Sequence, residues 1–118
     1  MTVSVFSSEE VDLAPQRVAE LLDSGEAQLV DVRESYEHEA GRIAGARHIE
    51  LERLTSQAET IDRSKPVVFH CRLGGRSTMA TQAFRASGYN AYNLDGGIQA
   101  WVDAGLPVEP DGGYVADH

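Results

Sequence analysis

Short apolar runs alternate along the chain with segments whose apolar residues recur every three or four positions. The runs at 28–32, 66–70 and 91–94 are bounded by polar or turn-forming residues, as buried strands are. Val11 and the stretch 46–49 add two shorter extended pieces. Helical spacing and stop signals predict helices from Pro15 to the Ser24-Gly25 pair and over 35–39, 51–61, 77–87 and 98–104.

Strands that alternate with helices predict an α/β fold, with a mainly parallel central sheet and helices on both faces. A length of 118 residues is that of one domain, so two domains in tandem are excluded. We assign residues 9–110 to this single domain. Residues 1–8 and the acidic, Gly-bearing segment 111–118 are expected to be short, loosely ordered termini.

The composition is that of a globular protein, with 42% hydrophobic and 25% charged residues. A net charge of −9 repels phosphate backbones and anionic lipids, so we expect neither a nucleic-acid nor a membrane partner. No apolar run approaches the roughly 20 residues of a membrane span, and the first residues lack the basic start of a signal peptide. The single Cys and four scattered His favour neither a disulfide nor a metal site. We therefore expect a cytoplasmic protein without a cofactor.

The most distinctive segment follows the strand at 66–70. Cys71 comes directly after this strand, at the carboxyl end where parallel sheets bind ligands. Gly74 and Gly75 allow the loop to curl with positive φ angles, so that several N–H groups point inward at the start of the next helix. Arg72 and Arg76 add two positive charges. Because such surroundings lower the pKa of a thiol, the sequence predicts an activated nucleophile.

The alternative for Cys71 is a buried, inert thiol, which is the usual state of a lone cysteine. An inert thiol has no need of two Gly and two Arg beside it, which favours the nucleophile. His70 directly precedes Cys71, so its side chain points to the opposite face of the strand. We interpret His70 as a packed histidine rather than a general base. His38 and His48 lie outside any motif and are expected at the surface or at the rim of the site.

Four segments together form a recognisable pattern: Leu29-Val30-Asp31-Val32-Arg33-Glu34, Glu39-Ala40-Gly41-Arg42-Ile43-Ala44-Gly45-Ala46, Cys71-Arg72-Leu73-Gly74-Gly75-Arg76-Ser77, and Leu94-Asp95-Gly96-Gly97-Ile98-Gln99-Ala100-Trp101 with Ala104-Gly105-Leu106-Pro107-Val108. In this order and spacing, the pattern resembles that of the single-domain rhodaneses, a family of sulfurtransferases. The resemblance covers about residues 11–108. Arg42 departs from the family pattern, which usually has His at this position.

This resemblance implies a sulfurtransferase reaction. Cys71 is implied to accept the outer sulfur of thiosulfate or a related small anionic donor, to become a persulfide, and to pass the sulfur to cyanide or to a small-molecule or protein thiol. The loop is implied to bind substrate, its backbone N–H groups holding the thiolate and the donor and its arginines attracting the anion. The implied substrate-binding residues are Arg72, Leu73, Gly74, Gly75, Arg76 and Ser77. The alternative for Ser77 is a plain helix N-cap.

Asp31 ends the strand at 28–32, at the same edge of the sheet as Cys71. A carboxylate near a thiolate needs a cation beside it, and the simplest candidates are Arg76 and Arg33. We therefore expect Asp31 and Arg33 to support the loop rather than to react. We interpret the Gly96-Gly97 turn and Trp101 as packing elements.

Two other classes of function compete with sulfur transfer. Dual-specificity phosphatases and arsenate reductases have five residues between the nucleophilic Cys and an Arg, whereas four separate Cys71 from Arg76. A tetrahedral phosphate with a bidentate Arg contact needs the longer loop, so sulfur chemistry is favoured. A persulfide carrier or a non-catalytic interaction module of the same family remains an open alternative.

Overall fold

A computed structural model describes residues 11–118, so the predicted loose segment 1–8 lies outside the described residues. Five parallel strands form one sheet in the order β1-β5-β4-β2-β3. The strands are β1 (Asp12–Leu13), β2 (Gln28–Asp31), β3 (Arg47–His48), β4 (Val67–His70) and β5 (Ala91–Leu94). The helices are α1 (Pro15–Asp23), α2 (Ser35–Ala40), α3 (Gly75–Ala86) and α4 (Gly97–Asp103). The predicted α/β class is therefore confirmed.

Alternating side chains along the strands build two separate cores, one on each face of the sheet. Val30 and Phe69 face α3, where Phe84 packs edge-on against Phe69 with ring centroids 4.9 Å apart. Leu29 and Val68 face the opposite side, which α1 and α4 cover. Helices thus lie on both faces, as predicted.

The register of β2 and β4 determines where the polar residues lie. Asp31 and His70 are paired neighbours at the carboxyl ends of these two central strands. The chain leaves β4 at His70 and enters the segment that begins with Cys71. Asp31, His70 and Cys71 therefore lie together at the carboxyl-end edge of the sheet, where open parallel sheets bind ligands.

Two predicted helices differ from the structure, one in its type and one in where it begins. The segment 51–61 forms two short 3₁₀ pieces, Leu51–Arg53 and Thr55–Thr60, in place of one α-helix. Hydroxyl groups in this segment bond to nearby carbonyls: Ser56 Oγ donates to Arg53 O at 2.9 Å and Thr60 Oγ1 to Gln57 O at 2.6 Å. Such local bonds compete with a regular helix. Further along the chain, α3 begins at Gly75, two residues earlier than predicted.

The C-terminal segment lies against α2. Glu109 and Arg42 exchange two backbone hydrogen bonds, of 2.9 and 2.8 Å, and the Tyr114 N–H donates to Ala40 O at 3.0 Å. The hydroxyl of Tyr36 donates to the carbonyl of Asp117 at 3.1 Å. The composition of this segment predicts loose order and does not anticipate these contacts.

Among residues 11–118, no helix has the length and apolar character needed to cross a membrane.

Candidate active site

The loop between β4 and α3 surrounds the sulfur of Cys71. Gly74 has φ +118°, in the left-handed region that favours glycine, and it caps the N-terminus of α3. Gly75 does not have a positive φ, so the prediction for that residue is wrong. The single left-handed turn at Gly74 is enough to aim its own N–H at the sulfur, at 3.1 Å.

Ser77 is the second group that contacts the sulfur. Its Oγ lies 3.4 Å from Cys71 Sγ and also bonds to Asn93 Oδ1. Ser77 is fully buried and is the third residue of α3, so the alternative reading as an N-cap is wrong; Gly74 holds that position. Asn93, which lies outside every segment that the sequence marks as part of the site, joins the hydroxyl to β5.

These contacts change the acidity of the thiol. Burial of Cys71 opposes ionisation and by itself raises the pKa. Two kinds of interaction outweigh burial: hydrogen bonds from the Ser77 hydroxyl and from the Ser77 and Gly74 backbone, and the positive charge of Arg76. The pKa of Cys71 is therefore lowered from its ordinary value. The thiolate is the reactive form of cysteine, so this loop favours a nucleophile.

The beginning of α4 fixes the beginning of the loop. The N–H groups of Ile98 and Gln99 donate to the carbonyls of Cys71 and Arg72 at 2.9 and 3.1 Å. Gly97, at φ +64°, packs so closely against these two carbonyls that a Cβ would overlap them. The Gly96-Gly97 turn therefore holds the loop in place, a role that the interpretation as a packing element did not include.

Arg76 binds a carboxylate that the sequence analysis did not single out. Its Nη1 and Nη2 donate to Oε1 and Oε2 of Glu37 at 2.8 and 3.0 Å. The expectation that Arg76 could pair with Asp31 is wrong because Glu37, on α2, lies nearer. Burial opposes ionisation of Glu37, but the hydrogen bonds from Arg76 hold its pKa below the usual range. The sequence carries one signal for the position of Glu37: its spacing from Glu34 is that of a capping box, which marks the start of α2.

Asp31 pairs with Arg33, the second of the two predicted cations. Arg33 donates from Nε and Nη2 to the two carboxylate oxygens at 2.9 and 2.8 Å, and both side chains are fully buried. Nη2 also donates to the carbonyl of Gly41 at 2.8 Å, so the pair fixes the end of α2. Asp31 lies on the face of the sheet away from Cys71, and neither residue contacts the sulfur.

The three histidines near Asp31 belong to this buried network. His38 Nδ1 lies 2.8 Å from Asp31 Oδ2, and its ring stacks on that of His48 at 4.4 Å. Both rings are half-buried, which fits a position at the rim better than one at the open surface. His70 is fully buried, with Nδ1 3.3 Å from the carbonyl of Cys71. Burial lowers the pKa of His70, which favours its neutral form.

Arg72 and Leu73 line the opening above the sulfur. Together with Cys71, Gly75, Arg76 and His118 they surround a cavity of about 300 Å³. Leu73 is exposed, whereas Arg72 Nε is shielded from solvent and has no hydrogen-bond partner within residues 11–118. Arg72 Nη2 forms an ion pair of 3.2 Å with Asp117, whose side chain is 96% exposed.

A second cavity, of about 270 Å³, adjoins the first and shares Arg76 and His118 with it. Three carboxylates line it, from Glu34, Glu50 and Glu52. A group of three side chains beside this cavity could offer ligands to a metal ion: one carboxylate oxygen from Glu34, one from Glu37 and one ring nitrogen from His118 lie within 4.8 Å of one another. Because Glu37 is already bonded to Arg76, we assign no metal to this group.

Comparison with known proteins identifies the same family that the sequence segments resemble. A family model described as "Rhodanese-like domain" matches residues 14–104. The Pseudomonas aeruginosa thiosulfate sulfurtransferase GlpE is 34% identical over 90 residues, covering 75% of this chain and 81% of that protein. An uncharacterised Bacillus subtilis protein, YqhL, is 45% identical over 76 residues; the match covers 64% of this chain and only 60% of YqhL. The crystal structure of a rhodanese-related protein from Thermoplasma volcanium has a TM-score of 0.78 at 28% identity, covering 83% of this chain and 96% of that one.

Proposed function

The chain belongs to the rhodanese-like domain family, and from that premise we propose that it is a sulfurtransferase that carries sulfane sulfur as a persulfide on Cys71. The donor is thiosulfate or a related anionic sulfur compound, and the acceptor is cyanide or a thiol. The observation that carries the proposal is the Gly74 N–H that donates to Cys71 Sγ, with the Ser77 hydroxyl 3.4 Å from the same sulfur, beside a cavity that Arg72 lines.

The first half-reaction follows from an activated thiolate. Cys71 Sγ attacks the outer sulfur of thiosulfate and a new S–S bond forms. The bond between the outer sulfur and the sulfonate sulfur breaks, and sulfite leaves with the electron pair. The Gly74 N–H and the start of α3 lie where they stabilise negative charge on the thiolate before the attack and on the persulfide after it.

In the second half-reaction, cyanide or an acceptor thiolate attacks the outer sulfur of the persulfide. A bond from the acceptor to that sulfur forms, the bond to Cys71 Sγ breaks, and the electron pair returns to Sγ. The site therefore regenerates its own thiolate without a cofactor. A compartment that keeps the thiol reduced suits this cycle, and we propose the cytoplasm.

Arg72 is the group best suited to hold the donor's negative charge. Its Nε is shielded from water and has no partner among residues 11–118, and its ion pair with the exposed Asp117 is of a kind that contributes little. Because Arg72 lines the cavity beside Cys71, its charge attracts an anion bound there. The backbone of residues 72–77 completes the proposed binding loop.

Phosphoryl chemistry is disfavoured by the same geometry. In a phosphatase of this kind, the Arg guanidinium makes a bidentate contact with phosphate. In this chain the edge of Arg76 formed by Nη1 and Nη2 faces Glu37, and four rather than five residues separate Cys71 from Arg76.

A steady-state assay tests the proposed reaction. With thiosulfate and cyanide varied together, thiocyanate formation should give the parallel double-reciprocal lines of a mechanism with a covalent intermediate. The Cys71→Ser variant should give no thiocyanate above the uncatalysed rate. Intersecting lines, or activity that survives in Cys71→Ser, would contradict transfer through Cys71.

A further inference from the structure

The two arginines of the loop differ in the carboxylates that they pair with. Arg76 commits both Nη atoms to the carboxylate of Glu37, at 2.8 and 3.0 Å. Glu37 is fully buried, and its Oε1 also accepts the backbone N–H of Glu34 at 3.1 Å and lies 3.4 Å from His118 Nδ1. This carboxylate is therefore anchored on three sides, and it fixes the guanidinium fork of Arg76.

The charge of Arg76 is balanced by the same contact. Although Arg76 lines the cavity beside Cys71, the Arg76–Glu37 pair carries no net charge, so it offers little attraction to an incoming dianion. The charge of Arg72 is balanced less firmly, because the carboxylate that it pairs with among residues 11–118 is the exposed Asp117. A single positive charge of this kind suits a donor with a single negative charge.

We propose that Glu37 is a specificity-determining residue, which directs this site toward sulfur donors with one negative charge and away from tetrahedral dianions. This inference rests on the proposed sulfurtransferase function. The favoured donor class is the persulfides, R–S–S⁻, whose charge is concentrated on one sulfur. The disfavoured class includes thiosulfate together with the unreactive oxyanions sulfate and phosphate, for which a free, bidentate Arg76 would be the natural partner.

The transfer from a persulfide is balanced without any other reactant. Cys71 Sγ attacks the outer sulfur of R–S–S⁻ and a bond between these two sulfurs forms. The S–S bond of the donor breaks, and R–S⁻ leaves with the electron pair. The product on the protein is the same Cys71 persulfide that thiosulfate would give.

The decisive variant is Glu37→Gln, which keeps the size of the side chain but frees the charge of Arg76. It should raise kcat/KM for thiosulfate about tenfold, because a charged hydrogen bond to the dianion becomes available. For the persulfide of 2-mercaptoethanol, the gain should stay below about threefold, since a single charge needs only one contact. Glu39→Gln, the same charge change on an exposed residue of α2, is the control and should leave the ratio of the two donors unchanged.

A double variant shows whether the gain acts through the guanidinium. Glu37→Gln combined with Arg76→Gln again leaves no net charge at the pair and removes the fork. The gain with thiosulfate should disappear in this protein. A gain that persists without Arg76 would overturn the proposal, because the carboxylate would then act on the donor directly.

A second readout does not depend on turnover. Sulfate or phosphate bound beside Cys71 slows alkylation of the thiol by iodoacetamide, so the half-protecting anion concentration reports binding. Glu37→Gln should lower that concentration about tenfold. If Glu37→Gln strengthens protection by the anion but the protein transfers no sulfur, the proposed sulfurtransferase function is contradicted and the role of Glu37 in anion binding stands. Unchanged protection in a folded Glu37→Gln protein, with an unchanged donor ratio, would overturn the role of Glu37.

Arg76→Lys extends the test to the case in which Glu37→Gln does not fold. It keeps the charge balance with Glu37 but has no fork. Because Glu37 already occupies the wild-type fork, Arg76→Lys should change kcat/KM for thiosulfate and for the persulfide by similar factors, so the ratio of the two donors should stay within about twofold. A tenfold loss confined to thiosulfate would mean that Arg76 binds the dianion in the wild type, and it would overturn the proposal.

Discussion

Asp31 and Arg33 form a two-point ion pair inside the fold, with donor–acceptor distances of 2.9 and 2.8 Å and no exposed side-chain surface on either residue. Removing one partner leaves the other charge buried and uncompensated. The pair also fixes Gly41 through its carbonyl, so its effect extends to the end of α2.

Asp31→Asn should therefore lower the free energy of unfolding by about 3–5 kcal/mol, because Arg33 keeps its charge and loses its counterion. Urea unfolding followed by circular dichroism measures the loss. Asp23→Asn, on an exposed residue at the end of α1, is the matched control and should cost less than about 0.5 kcal/mol. Equal, small effects of both substitutions would mean that the pair contributes nothing to stability.

The same pair predicts the acid response of the protein. Burial opposes ionisation of Asp31, but the hydrogen bonds and charge of Arg33, together with the hydrogen bond from His38, hold its pKa well below the ordinary value. A lowered pKa in the folded state gives stability that is complete above the unfolded value of about 3.9 and is lost as the pH falls below it. The stability difference between the wild type and Asp31→Asn should thus be constant from pH 7 to 5 and shrink below about pH 4. A difference that shrinks between pH 7 and 5 would contradict this assignment.

Much of the fold could be predicted because its signals are local. The apolar runs that became β2, β4 and β5, and the Pro15 and Gly25 signals at the two ends of α1, depend only on neighbouring residues. The 3₁₀ pieces could not be predicted in the same way. In the segment 51–61, hydroxyl-to-carbonyl bonds compete with a weak amphipathic pattern, and the result depends on packing against the rest of the fold.

The site was predictable to a similar extent. The place of Cys71 and the left-handed Gly74 follow from the order of residues after β4. The sequence leaves two candidate partners for Asp31, and the structure shows that Arg33 is the one that pairs with it. The partner of Arg76 does not, because Glu37 is 39 positions away and only the folded chain brings α2 beside the loop. The same holds for the contact of Ser77 with Asn93, which joins α3 to β5.

The Ser77 hydroxyl is predicted to help stabilise the thiolate. Ser77→Ala removes one donor to Cys71 Sγ, so the pKa of Cys71 should rise and the pH profile of alkylation by iodoacetamide should move to higher pH. At pH 7 the alkylation rate should fall roughly threefold. Ser87→Ala, at the exposed C-terminal end of α3, is the control and should leave the profile unchanged. A profile unchanged by Ser77→Ala would mean that the backbone of the loop alone sets the acidity.

Arg72 is predicted to act on donor binding and not on stability. Arg72→Ala should raise KM for thiosulfate about fivefold with little change in kcat, because the attraction is felt equally by the bound donor and the transition state. Arg72→Lys keeps the charge and should recover part of the loss. Stability should change by less than about 0.5 kcal/mol, since the partner, Asp117, is 96% exposed. A fall in kcat with unchanged KM would instead place Arg72 at the reacting atoms.

The central claim is that Cys71 carries sulfur covalently, and the intact mass of the protein after incubation with a sulfane donor tests it most directly. Thiosulfate, or a persulfide where thiosulfate reacts slowly, should add about 32 Da, the mass of one sulfur atom. Cyanide or dithiothreitol should remove the added mass, and Cys71→Ser should never acquire it. An unchanged wild-type mass with every donor tested, or the same adduct on Cys71→Ser, would contradict the account.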